Sequence, residues 1–101
     1  MFKQHKAYVH DVKILTSNAD RLAQLLDAQP DPVRGQLVTE QIYRNVGKIS
    51  HPSLMHQRDT MLAAADAALY WTLGTSGKDR AVAALDQANQ TITKAIEAYS
   101  E

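Results

Sequence analysis

Four histidines carry most of the chemistry open to this chain near neutral pH: His5, His10, His51 and His56. Their spacing limits what they can do. His5/His10 and His51/His56 are each five residues apart, about 140° around a helix, whereas helical ligand pairs share a face at i, i+3 or i, i+4. His56 and Asp59 do share a face, as a lone pair. Glutamate is confined to Glu40, Glu97 and Glu101, and the Glu-x-x-His pattern of di-iron bundles is absent. With no cysteine there is no thiol nucleophile and no Cys-based zinc site. Ser50 and Ser53 lie near His51 and His56, but no nucleophile elbow or glycine-rich phosphate loop surrounds them. No catalytic set is assigned, and no metal or cofactor is expected.

Four helices must position these residues. The first is expected over about 2–28. Met1, His5, Tyr8, Val12, Leu15, Ala19, Leu22 and Leu26 step alternately by four and three, with no Gly or Pro among them. Pro30 ends this helix, and Asp31-Pro32 opens the next as N-cap and first helical residue. The second helix is expected over 32–48. Its inward stripe is read as Val33, Leu37, Val38, Ile42, Val46 and Ile49, and Gly35 marks either close packing or mere tolerance. Gly47 is read as its C-cap, with Ser50 or His51 capping the third helix ahead of Pro52.

The third helix is expected over 52–73. Met55, Leu62 and Leu69 repeat at seven, thickened by Leu54, Met61, Ala65, Ala68 and Trp71. The alanine-rich run from Ala63 to Ala68 has high helix propensity and would admit a close neighbour. Gly74-Thr75-Ser76-Gly77 separates it from a fourth helix over 77–99, with Ser76 and Asp79 resembling a capping box. That helix shows two stripes. One is Val82, Leu85, Asn89, Ile92, Ile96 and Tyr99; the other is Ala81, Ala84, Ala88, Ala95 and Ala98. Two apolar faces imply more than one neighbour.

Four helices with short connections predict an all-α, antiparallel up-down-up-down four-helix bundle with a long first helix, as one domain over 1–101. A three-helix arrangement with a kinked second segment is the alternative. The bundle brings the start of helix one, the end of helix two, the start of helix three and the end of helix four to one pole. All four histidines fall there, with Lys3, Lys6, Arg44, Lys48 and Arg58. Its candidate anion- or partner-binding residues are Arg44, Lys48, His51, His56, Arg58, His5 and His10. The alternative reading of this pole is a set of exposed polar helix ends.

Within it, Arg44-Asn45 is followed by five residues and His51. This is similar to the Arg-polar-x(4–5)-His pattern of the HEPN family, helical domains many of which are ribonucleases. The resemblance spans eight residues. It implies that Arg44 and His51 meet at a dimer cleft and cleave RNA. The chain departs from the pattern in carrying Gly47 and Pro52 in that segment and little chain ahead of it.

Eleven basic and eleven acidic residues cancel, so a global charge for nucleic acid is missing. Residues 1–58 hold eight Lys/Arg against five Asp/Glu, net +3; residues 59–101 hold three against six, net −3. Lys13, Asn18, Asp20 and Arg21 interrupt any signal-peptide run, and no stretch approaches the ~18 apolar residues of a membrane span. A cytoplasmic location is the expectation. Tyr70-Trp71 is read as core at the end of helix three, or, if exposed, as the interaction anchor of the chain. The functional expectation is a non-enzymatic helical interaction protein, such as an adaptor, inhibitor or immunity-type protein. Its expected partner is another protein, with a homodimer weighed evenly against a monomer; nucleic acid and membrane are not expected. The alternative is an RNA- or phosphate-acting protein using the basic, His-rich pole.

Overall fold

The computed structural model describes the backbone of residues 2–100 and the side chains of residues 6–99. Four helices follow one another: α1 (Phe2–Asp27), α2 (Pro32–Val46), α3 (Met55–Thr72) and α4 (Lys78–Ser100). A single 3₁₀ turn, Pro52–Leu54, precedes α3. They form an antiparallel four-helix bundle measuring 46 × 21 × 18 Å, without a strand among the described residues. α1 packs on α2, α3 and α4, and α3 packs on α2 and α4.

Local sequence sets the breaks. Asp31 caps α2: its carboxylate accepts from the Val33 and Arg34 N–H groups at 3.0 and 3.3 Å. Gly47 caps the other end, its N–H donating to the Tyr43 carbonyl. His51 caps the 3₁₀ turn, its Nδ1 accepting from Ser53 N–H at 3.2 Å. α3 ends in a Schellman motif. Gly74 has φ +78°, the Thr75 N–H reaches the Tyr70 carbonyl, and the Gly74 N–H reaches that of Trp71.

The core face of each helix keeps one rhythm of fours and threes. In α1 it runs through Tyr8, Val12, Leu15, Ala19, Leu22 and Leu26, with Leu25 also fully buried. Met1 and His5, which begin that seam in the sequence, lie outside the described side chains. In α2 the buried positions are Gly35, Thr39, Ile42 and Val46, continued by Ile49. Val33 and Leu37 are therefore not core, contrary to the apolar stripe read from sequence. Gly35 is inward because a Cβ there would collide with the Thr72 hydroxyl of α3. This close approach turns Leu37, two residues on, to the far side of the helix.

α4 needs a similar correction. Its inward seam is Ala81, Leu85, Ala88, Ile92 and Ala95, drawn from both expected stripes. Val82, Asn89, Ile96 and Tyr99 are exposed. Alanine at three of five seam positions lets α3 and α1 approach, and Val82, Ile96 and Tyr99 point aside.

Candidate functional site

The helix order brings His10, His51 and His56 to the pole formed by the starts of α1 and α3 and the ends of α2 and α4. Tyr8 organises its centre. The Tyr8 ring stacks on Tyr99 with centroids 4.9 Å apart, and His51 meets it edge-on at 5.2 Å. The Tyr8 hydroxyl donates to the Ala95 carbonyl at 2.8 Å, tying α1 to α4. Burial raises the Tyr8 pKa. His51 is half-buried here, and its Nδ1 is occupied as a cap acceptor.

The other candidates at this pole turn to different surroundings. His10, Arg44, Lys48 and His56 are exposed. His56 borders a shallow groove of about 380 Å³ against α4, lined by Asp86, Gln90, Thr91 and Lys94 among others. Arg58 is half-buried and pairs with its neighbour Asp59 at 3.1 Å. The His5 side chain lies outside the described residues.

Arg44 and Asn45 diverge by one helical step. The Asn45 amide donates to Asn18 Oδ1 of α1 at 3.5 Å, while Arg44 lies on the outer face of α2. Asn18 is 2 % exposed, and its Nδ2 donates to the Ile14 carbonyl at 2.7 Å. Its Oδ1 also accepts from Arg21 Nη1 at 3.4 Å. Asn45 thus serves helix packing. Among the described residues no hydrogen bond or ion pair joins Arg44 to His51, and no three His, Asp or Glu side chains converge as metal ligands.

The opposite pole carries the apolar surface. Gly35 of α2 crosses Thr72 of α3 in direct contact. Within about one turn of that crossing stand Val33 and Leu37 on α2 and Tyr70 and Leu73 on α3, respectively 71, 61, 53 and 51 % exposed. Tyr70 is held on rigid backbone: its carbonyl accepts from both the N–H and the hydroxyl of Thr75. Trp71, one residue on, is half-buried against the core, with the Lys78 ammonium 5.5 Å from its ring centroid. Of the expected anchors, Tyr70 faces water and Trp71 mostly does not.

Sequence reasoning missed Val33, Leu37 and Leu73 as surface residues. A signal was available in α2. Gly35, Thr39, Ile42, Val46 and Ile49 keep the same spacing of fours and threes as the first helix, once glycine and threonine are admitted as seam residues.

Among the described residues no helix is long and apolar enough to cross a membrane. Comparisons with protein-family models, with curated proteins and with solved structures returned no match.

Proposed function

We propose that this chain is a non-enzymatic protein-interaction module that engages a partner protein through the outer side of α2 and α3. The observation that carries this reading is the exposure of Val33, Leu37, Tyr70 and Leu73, which stand at one level of the bundle on two adjacent helices, at the height of the Gly35–Thr72 contact. Large exposed apolar groups scattered singly need no explanation; the four most exposed ones all fall at one end of the α2–α3 pair. Tyrosine is among the residues enriched at binding hot spots, because it offers apolar area and a hydroxyl at low entropic cost. Tyr70 has, in addition, a backbone fixed by the turn that follows it.

The test is substitution at this surface, scored by binding to a purified partner. Leu37→Asp and Tyr70→Glu should each weaken binding at least tenfold while leaving helical circular dichroism unchanged. Undiminished binding by both variants would overturn the reading. A second assay addresses the basic pole. RNA cleavage by the wild-type chain, lost in a folded Arg44→Ala/His51→Ala variant, would replace this function with the RNA-directed one.

A further inference from the structure

We infer that the outward strip of α2 is a docking surface for an acidic amphipathic helix of a partner protein. This rests on the interaction reading above and names the chemistry of its partner. A single helix carries the whole strip.

Val33, Leu37, Gln41, Arg44 and Lys48 step by four, four, three and four, and all five are exposed. Helical geometry therefore lines them up along one face of α2, opposite the buried Gly35, Thr39, Ile42 and Val46. Gly47 keeps helical angles, φ −62° and ψ −19°, and carries Lys48 in the same register. The strip is about 22 Å long. Its first half is apolar. Val33 and Leu37 are more exposed than any other large apolar side chain among the described residues. Its second half is basic.

The cations of this face are left without acids. Among the described residues Arg34, Arg44 and Lys48 make no ion pair; the one pair present joins Arg58 to Asp59. Glu40, the single acid within α2, accepts from Gln36 Nε2 at 3.4 Å instead. Arg34 lies in the first turn of α2, where the helix dipole disfavours a cation and no acid accompanies it. Stability of the helix therefore does not account for Arg34. Arg21 of α1 adds charge at the level of Arg44, since Arg21 Nη1 and Asn45 Nδ2 both donate to Asn18 Oδ1.

The complement of this strip is a helix with apolar residues over Val33 and Leu37 and carboxylates over Arg44 and Lys48. Single-stranded nucleic acid uses aromatic platforms beside its cations. The strip has none, because Tyr43 turns to α3 and donates to Asp66. A lipid surface takes a broad apolar face, and this one has two aliphatic side chains.

Fluorescence anisotropy with a labelled helical peptide of about sixteen residues, the length of the strip, tests this. The peptide carries leucines one turn apart in one half and glutamates one turn apart in the other, and is made in both sequence directions. Wild type should bind one of the two, less tightly as salt rises. Leu37→Asp should weaken binding at least tenfold. Arg44→Glu with Lys48→Glu should do the same, and should bind a companion peptide with lysines for glutamates better than wild type does. Arg44→Ala with Lys48→Ala, which leaves no acid at the helix end, should weaken binding several-fold. The substituted side chains are exposed, so helical circular dichroism should be unchanged.

Failure of wild type to bind either glutamate peptide at millimolar concentration overturns the inference. So does equal affinity for the glutamate and lysine peptides, or a charge variant that gains nothing towards lysine. Tighter binding to a uridine oligonucleotide or to phosphatidylserine vesicles overturns it too. If a purified partner loses affinity for Leu37→Asp but not for Arg44→Glu with Lys48→Glu, the acidic partner falls and the interaction reading stands. If that partner is indifferent to these variants and to Tyr70→Glu, both fall.

Discussion

The Tyr43 hydroxyl of α2 donates to the Asp66 carboxylate of α3, 2.8 Å from each carboxylate oxygen. It joins the two helices directly. The Tyr43 pKa is pushed up to about 12, first by burial, then by the hydrogen bond to Asp66 and its negative charge.

This pair predicts a pH dependence. The folded-state pKa lies above the ordinary 10.0, so the folded protein holds this proton more tightly than the unfolded chain. The stabilisation is whole below about pH 10 and is lost as pH rises towards about 12. Burial of Tyr8 adds a loss of the same sign. Denaturant melts from pH 8 to pH 12 should show stability falling above pH 10, with a shallower fall in Tyr43→Phe. At neutral pH the same variant should cost about 1 kcal/mol or less, because water competes at a 43 % exposed residue. Asp66→Asn should lower the Tyr43 pKa towards 10 in a tyrosinate absorbance titration referenced to Tyr43→Phe. The part due to burial should remain.

The Gly35–Thr72 crossing predicts an intolerance to a single methyl group. A Cβ at residue 35 would collide with the Thr72 hydroxyl, and Thr72 is stiff, with that hydroxyl donating to the Leu69 carbonyl at 2.7 Å. Gly35→Ala gains up to about 1 kcal/mol of helix propensity but overpacks the crossing by about 1–3 kcal/mol. A net loss near 1 kcal/mol is expected by chemical denaturation. Thr72→Ala in the same chain should recover most of it, giving a favourable coupling energy in the double-mutant cycle. A stabilised Gly35→Ala variant would refute the contact.

Gly74 supplies the third prediction. Its φ of +78° ends α3, and a side chain there pays the left-handed penalty of about 1–2 kcal/mol. No atom stands near a Cβ at this position, so the cost is conformational rather than steric. Gly74→Ala should lower stability by about 1 kcal/mol, and Gly74→Asn by less. Equal melting of the two variants would contradict a backbone origin.

Asn18 separates a polar contact from a packing contact. Asn18→Ala leaves a void and strips Asn45 and Arg21 of a partner, with an expected cost of about 2 kcal/mol. Asn18→Leu fills the space and should cost less. Amide exchange should then show faster opening in α2 around Asn45, because the α1–α2 polar tie is gone while the core is retained. Identical exchange in wild type and Asn18→Leu would assign Asn18 to packing alone.

Where helices begin and end was legible from local sequence. Pro30, Asp31-Pro32, the Gly47–Pro52 break and Gly74 act through the backbone within a few residues, so no distant contact is needed to read them. The α1 seam was legible too, because its inward residues are also its large apolar ones, from Leu15 through Leu26.

Which side of α2 and α4 turns inward depended on their neighbours. Size and hydrophobicity favoured Val33 and Leu37, yet the space beside Thr72 admits only Gly35. In α4 the seam combines Ala81, Ala88 and Ala95 of one expected stripe with Leu85 and Ile92 of the other, and leaves Val82, Asn89 and Ile96 outside. A helix face is selected by the distance at which the next helix passes, and small residues permit the shortest approach. That relation is held jointly by two segments far apart in the chain. Hence the exposure of Val33, Leu37 and Tyr70, the burial of Asn18 and the divergence of Arg44 from Asn45 emerged only once the helices were packed.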